Sequence, residues 1–164
     1  MKTIIVYYSL EENTHYAAQK IAENIGADLL RLHPKKAYPR GGFKKFFWGG
    51  KSAVMAEKPA LEPYAFKAEE YERVIIGFPV WASNVAPPLR TFLSENDLSG
   101  KHLAAFACQS GSGAQKAFAK LAAAAGVEKL ENELILIDPK SKPSAENERK
   151  IKEFCDTLNK TEET

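Results

Sequence analysis

The sequence predicts an α/β fold: a doubly wound, five-stranded parallel sheet of strand order 2-1-3-4-5 with helices on both faces. Five short apolar runs alternate along the chain with segments of helical hydrophobic spacing, a pattern that is typical of parallel strands joined by crossover helices. Several of the runs are apolar throughout, as strands buried on both faces are. Because crossovers between parallel strands are right-handed, the doubly wound order is favoured.

The first half of the chain is predicted to hold two strands and two helices, namely strands at 4–8 and 28–33 and helices at 13–25 and 43–56. The first strand is rich in β-branched and aromatic residues. The first helix carries alanines and isoleucines on one face, and Gly26 lies where helices commonly end. Pro34 ends the second strand. The connection 34–71 is too long for an ordinary loop, so the second helix is placed within it.

The second half continues the alternation, with strands at 73–77, 103–107 and 133–138 and helices opening at 87 and covering 113–125 and 144–159. Pro87 and Pro88 suit the first turn of a helix, where N–H groups lack partners. Gly126 ends the helix before it. The last helix has the clearest apolar stripe, from Ile151 to Leu158 at i, i+3, i+4 and i+7. Residues 1–164 are therefore predicted to form a single domain.

Composition narrows the class of protein. Hydrophobic residues make up 45% of the chain and charged residues 27%, as in globular proteins. No apolar run approaches about 18 residues, and a signal-peptide pattern is absent, so we expect a cytoplasmic protein without a membrane partner. The net charge is +2, with basic residues and no acids between 35 and 56. A basic stretch this local does not predict nucleic-acid binding.

The cysteines and histidines do not have the spacing of a metal site. Cys108 and Cys155 form no CxxC pair, and the three histidines are scattered at 15, 33 and 102. We therefore expect no metal ion and two separate thiols, with Cys108 buried at the end of a strand.

A ligand of such a sheet binds beyond the carboxyl ends of the strands where the chain order reverses, which here is between strands 1 and 3. After strand 1, the segment Ser9–Thr14 leads straight into a helix. Its hydroxyl and amide side chains could join free N–H groups in an anion site, or could simply cap the helix. The loop has neither GxGxxG nor GxxxxGK[ST], which argues against a dinucleotide fingerprint or a P-loop.

Two further loops reach the same crevice. Trp81, after strand 3, is a large aromatic among small residues and could stack on a flat ring or cover the edge of the core. After strand 4, Gly111 and Gly113 allow backbone to approach a ligand closely, although Ser112 could equally be a plain helix cap. An anion cradle, an aromatic wall and a glycine-lined loop together predict a site for a phosphorylated planar ring system.

These loops resemble those of flavodoxins, in the branch found as small stand-alone bacterial proteins. The matching motifs are Tyr8-Ser9-x-x-x-Asn13-Thr14, Gly77-Phe78-Pro79-Val80-Trp81, Ala86-Pro87-Pro88 with Thr91-Phe92-Leu93, and Tyr38-Pro39 to Gly49-Gly50-Lys51 with Lys58-Pro59. The resemblance covers nearly the whole chain. It implies a flavodoxin-like fold that binds FMN, whose ring carries the redox chemistry while the protein tunes its potential.

The resemblance assigns residues of all three loops to the cofactor. These are Ser9, Leu10, Glu11, Glu12, Asn13 and Thr14 at the phosphate, Pro79, Val80, Trp81 and Ala82 facing the ring, and Gln109, Ser110, Gly111 and Gly113 against its other side. The phosphate contacts would come from the side chains of Ser9, Asn13 and Thr14 and from the backbone N–H groups of 10–14. Glu12 stands where the family usually has glycine. A bound phosphate therefore requires the carboxylates of Glu11 and Glu12 to point to solvent.

The resemblance implies an electron carrier. The alternatives are an NAD(P)H-dependent quinone or flavin reductase and a flavodoxin-shaped binding module without FMN. A phosphate-accepting receiver domain is disfavoured, because strand 3 ends in Phe78-Pro79 rather than in an aspartate. The expected partner is a redox protein or a small quinone-type acceptor, with Lys44, Lys45 and Trp48 as the candidate docking residues. The simpler interpretation of these residues is a solvated amphipathic helix.

Overall fold

Five strands and four α-helices alternate along the described part of the chain. The computed structural model describes residues 1–39 and 57–163. The elements are β1 (Thr3–Tyr7), α1 (Asn13–Ile25), β2 (Asp28–Arg31), β3 (Arg73–Pro79), α2 (Pro87–Glu95), β4 (His102–Gln109), α3 (Ala114–Ala125), β5 (Asn132–Ile137) and α4 (Ala145–Glu162). The helix predicted at 43–56, with Lys44, Lys45 and Trp48, lies outside the described residues.

The strands form one parallel sheet of order β2-β1-β3-β4-β5, which confirms the predicted fold class. The first strand lies between β2 and β3, so that Ile5 is in register with Leu29 on one side and with Ile75 on the other. The chain therefore leaves β1 toward one edge of the sheet and returns to build the other. This reversal opens a crevice at the carboxyl ends of β1 and β3.

Both faces of the sheet are buried, because successive residues of β1 point to opposite sides. Val6 packs with residues of α2 and α3 such as Leu89 and Phe118. Ile5 packs on the other face, with residues of α1 and α4 such as Ile21. Each face of the sheet thus has its own hydrophobic layer, which is why the central strands β1, β3 and β4 are buried over most of their length.

Several strand boundaries differ from the predictions. The third strand extends through Pro79 and the fourth through Gln109, whereas β2 ends early, at Arg31. Pairing decides these limits: Pro79 is in register with Cys108, and Val80 N–H donates to the Cys108 carbonyl at 2.9 Å. The extra pairing brings the two loops that follow β3 and β4 side by side at the crevice.

A buried arginine ties the opposite edge of the sheet together. Arg73 opens β3 with a fully buried side chain. Its guanidinium donates to the carboxylates of Glu131 at 3.3 Å and Glu162 at 3.0 Å and to the Leu158 carbonyl at 3.3 Å. Among the described residues, no helix is long and apolar enough to cross a membrane.

Candidate functional site

A cavity of about 430 Å³ opens at the carboxyl ends of β1, β3 and β4. This volume is within the range of small-molecule sites. The lining residues come from the three loops and from the end of β5: Ser9, Leu10, Glu11, Asn13, Thr14, Pro79, Val80, Trp81, Ala82, Cys108, Gln109, Ser110, Gly111, Ser112 and Asp138. Of the residues predicted for the site, Glu12 and Gly113 do not line the cavity.

The start of α1 faces the cavity with its hydrogen-bond donors. Asn13 and Thr14 are the first two residues of the helix, so no helical carbonyl precedes them to accept from their N–H groups. The Ser9 hydroxyl accepts from the N–H of His15 at 3.1 Å, and it keeps its own proton for a further partner. Ser9 thus satisfies a helix N–H, as the capping interpretation requires, and also lines the cavity beside the start of α1.

The side chain of Asn13 connects this loop to the segment after β5. Its Oδ1 accepts from the N–H groups of Lys140 at 2.9 Å and Ser141 at 3.1 Å. This amide therefore orders the rim of the site through its own hydrogen bonds. Sequence patterns do not predict this contact, because the residues are 127 and 128 positions apart.

Glu12 turns its carboxylate away from the cavity and toward β2. Its backbone has φ 68° and ψ −2°, in the left-handed region that favours glycine. Its Oε1 lies 2.6 Å from Nη2 of Arg31. This guanidinium holds the pKa of the Glu12 carboxyl below its usual value of 4.5. Glu11, in contrast, lines the cavity and is exposed.

Trp81 forms part of one cavity wall and is packed against two tyrosine rings behind it. The Trp81 ring meets the rings of Tyr8 and Tyr38 edge to face, with centroids 5.7 Å and 5.1 Å apart. Trp81 is half-buried and lines the cavity. One face of the Trp81 ring therefore packs on the edge of the core, and another part of the ring is open to a ligand. Covering the core and contacting a ligand, the two roles suggested by the sequence, are compatible. Sequence analysis missed the contribution of Tyr38.

The loop after β3 is a tight two-residue turn. Ala82 and Ser83 have φ values of 50° and 59°, and Trp81 and Asn84 exchange backbone hydrogen bonds across them. The Asn84 side chain donates to the Ala82 carbonyl at 2.7 Å and accepts from Lys120 Nζ at 2.6 Å. These bonds hold non-glycine residues in a conformation that they rarely adopt.

The loop after β4 uses its two glycines differently. Gly111 is exposed and has open space beside it. Gly113 has φ 107°, and a Cβ there would lie 2.9 Å from Cα of Ser83. The backbone of Gly113 therefore lies close to the turn at Ser83 rather than to the cavity. The side chain that accepts from the start of α3 belongs to Gln109, at 3.0 Å from the N–H of Ala114, rather than to Ser112.

Two cavity residues have chemistry that the sequence did not assign to the site. Asp138, at the end of β5, is buried and accepts from the Ser110 hydroxyl at 2.8 Å, with Lys142 Nζ 3.6 Å away. Cys108 is a free, buried thiol beside the Thr14 hydroxyl. Burial raises the pKa of the Cys108 thiol to about 12, so it stays protonated. Sequence analysis could have found Asp138, because it directly follows the last strand at the carboxyl edge of the sheet, where ligands of such sheets bind.

The donor set and the shape of the cavity fit a phosphorylated flat ring. Helix N–H groups and hydroxyls lie at one end, where the helix dipole favours an anion. Trp81, Pro79 and Val80 supply an apolar surface at the loop after β3. Among the described residues, no cluster of side chains is suited to hold a metal ion.

Comparison with known proteins agrees with this geometry. A family model described as flavodoxin matches residues 2–153. No curated protein matches the chain by sequence.

Solved structures share its fold. A candidate flavoprotein from Bacteroides eggerthii is 20% identical with a TM-score of 0.78, covering 96% of this chain and 98% of its own. One from Bacteroides uniformis is 24% identical with a TM-score of 0.76, covering 92% and 96%. A flavoprotein from Lactobacillus acidophilus, solved in complex with FMN, is 20% identical with a TM-score of 0.71, covering 85% and 95%.

Proposed function

We propose that this chain, which belongs to the flavodoxin family, binds one FMN and transfers electrons through it. The observation that carries the proposal is the cavity itself. Its helix-start donors and its aromatic wall lie at the crevice where the sheet reverses its order. A solved relative of the same fold is a complex with FMN, which supports the choice of cofactor.

The phosphate would be held by uncharged donors, since no lysine or arginine is among the described residues that line the cavity. The N–H groups of 10–14 and the hydroxyls of Ser9 and Thr14 are the donors in reach. Each such hydrogen bond to a charged acceptor is stronger than one to a neutral group. The dipole of the 13-residue helix α1 adds a partial positive charge at this end.

The ring would lie between the loops after β3 and β4, against Trp81 and the segment 109–111. A bound flavin supplies the chemistry of accepting and donating electrons. The chain's own residues orient it: Trp81 offers a face or edge for stacking, and the turn at Ala82 is fixed by Asn84 and Lys120. The buried Asp138 places a carboxylate at the cavity wall.

Cofactor identity is tested by titrating the apoprotein with FMN, FAD and riboflavin and by chromatographing flavin released from denatured holoprotein. We expect FMN to bind most tightly, because the cavity offers one phosphate cradle. Thr14→Val should weaken FMN binding, whereas Thr91→Val, whose hydroxyl donates to the Pro59 carbonyl away from the cavity, should not. Recovery of FAD as the main flavin would contradict the proposal.

An NAD(P)H-dependent quinone or flavin reductase is the second candidate. It is favoured by the net charge of +2 and by the basic segment 35–56, because basic side chains attract anionic nucleotides and acidic partner proteins. Lys44, Lys45 and Trp48 are the proposed docking residues for a redox protein or a quinone-type acceptor. NADPH oxidation by the parent in the presence of a quinone distinguishes the reductase from the carrier, because a carrier without a partner reductase does not oxidise NADPH. The same assay on a Lys44→Glu/Lys45→Glu variant tests the docking residues.

A further inference from the structure

We infer that Arg31 is a positioning residue for the phosphate loop Ser9–Thr14, because its guanidinium holds the Glu12 carboxylate outside the cavity and braces the loop backbone. The inference rests on the proposed function, since its effect is on the binding of a flavin phosphate. It concerns a residue that neither lines the cavity nor belongs to the family's loop motif.

Arg31 contacts the loop at two points, Ser9 and Glu12. Its Nη2 donates to Glu12 Oε1 at 2.6 Å and to the Ser9 carbonyl at 3.2 Å, and its Nη1 donates to Glu12 Oε2 at 3.4 Å. Arg31 is the last residue of β2 and is in register with Tyr7 at the end of β1. Its backbone is therefore fixed beside the strand that leads into the loop.

Charge explains why the pair matters for an anion. Glu12 directly precedes the helix start at which the phosphate is expected. A carboxylate pointing into the cavity would repel a phosphate dianion. The side chains of Glu12 and Arg31 are 31% and 24% exposed, so they are partly shielded from water. His15 and Lys140 also favour the ionised carboxylate, which therefore stays charged and needs its partner.

The backbone conformation of Glu12 also indicates that Arg31 orders the loop. Glu12 has φ 68°, in the left-handed region that glycine adopts without steric cost and that most other residues disfavour. The loop keeps this conformation with a glutamate because the side chain is anchored at both of its oxygens. The anchor thus compensates for the absence of glycine at this position.

The test compares apoproteins of the parent, Arg31→Met, Arg31→Lys and the double variant Arg31→Met/Glu12→Gln by fluorescence titration with FMN and with riboflavin, which lacks the phosphate. We expect Arg31→Met to weaken FMN binding about fivefold, the worth of one partly exposed ion pair, and riboflavin binding less than about twofold. The double variant should recover most of the loss, because the Glu12 carboxylate is no longer there to repel the phosphate. Arg31→Lys, which keeps the charge, should bind FMN better than Arg31→Met.

The salt dependence of FMN affinity distinguishes charge repulsion from loosened packing, because loosened packing alone would not make the affinity loss depend on salt. Repulsion by an unpaired Glu12 is screened at high ionic strength, so the FMN deficit of Arg31→Met should shrink as salt rises. Equal losses for FMN and riboflavin, or no recovery in the double variant, would overturn the role of Arg31 while leaving FMN binding intact. A parent that binds no flavin would overturn the proposed function and this inference together. Circular dichroism and thermal unfolding show that each variant is folded.

Discussion

At the scale of single residues, Trp81 is the side chain with the most direct predicted effect on the flavin. It lines the cavity and packs edge to face on Tyr8 and Tyr38. We predict that Trp81→Ala brightens the fluorescence of bound FMN, because a stacked indole quenches it, and weakens binding by about 0.5–1.5 kcal/mol. Fluorescence titration of the apoprotein measures both effects.

Tyr38→Leu is the matched control for Trp81. It removes a ring from the same cluster, but Tyr38 is not among the described residues lining the cavity. The control should leave flavin fluorescence almost unchanged. If Trp81→Ala behaves like Tyr38→Leu, Trp81 covers the edge of the core and does not touch the ring.

Glu12 predicts a dependence of stability on pH. Arg31 lowers the pKa of the Glu12 carboxyl below 4.5 in the folded chain. A carboxyl with a lowered folded-state pKa stabilises the fold above its unfolded pKa, and that contribution is lost as pH falls through the folded-state value. The parent should therefore have a larger unfolding free energy than Glu12→Gln by about 0.2–1 kcal/mol at pH 7, and this difference should shrink as the pH falls below 4.5.

Urea unfolding at several pH values measures the difference. Glu128→Gln is the control, because Glu128 is exposed and has no ion pair with any described residue, so its substitution removes a carboxylate without removing a salt bridge. A gap between parent and Glu12→Gln that does not change with pH would show that the ion pair is absent in solution.

At the scale of elements, the loops after β3 and β4 support each other. Ser83 occupies the left-handed region in the turn, and Gly113 lies against it just before α3. A Cβ at Gly113 would lie 2.6 Å from Ser83 Oγ. The conformation of one loop therefore depends on the absence of a side chain in the other.

Gly113→Ala should lower the unfolding free energy by about 1–3 kcal/mol, since it adds a clash and forces a strained φ on alanine. Gly111→Ala is the control in the same loop. It has open space beside it and no positive φ, so a change within about 0.5 kcal/mol is expected. Urea unfolding of both apoproteins decides, and equal stability of the two variants would show that the loops move apart freely.

At the scale of the whole molecule, Arg73 joins β3, the residue before β5 and the end of α4 at the edge of the sheet opposite the cavity. Arg73→Met should lower the unfolding free energy by about 2–3 kcal/mol, because it removes the buried cation that two partly buried carboxylates share. The cavity is at the other end of the strands, so FMN affinity should hardly change.

Arg149→Met provides the comparison for Arg73. Arg149 pairs with Glu146 and Glu153 on the exposed face of α4, where its side chain is 53% exposed. Such surface pairs are worth less than about 1 kcal/mol. Similar losses for the two variants in a urea titration would mean that burial of Arg73 adds nothing to its ion pairs.

Much of this architecture was predictable from the chain alone. Apolar runs and helical stripes are local patterns, and burial on both faces of a parallel sheet leaves few arrangements for five such units. The order of the sheet and the meeting of the loops at Ser9, Trp81 and Gln109 at one crevice follow from those patterns. The family motifs lie in the same loops.

Only the tertiary structure decided which side chains face one another across these loops. Arg31 and Glu12 are 19 residues apart and meet because β2 pairs with β1. Gly113 meets Ser83 because β4 pairs with β3, and Asp138 reaches the cavity from the end of β5. Hydrophobic periodicity fixes which face of an element is buried, but not the register or the side-chain directions at its ends. The charges and the close contacts of the site therefore emerge only when the strands are paired.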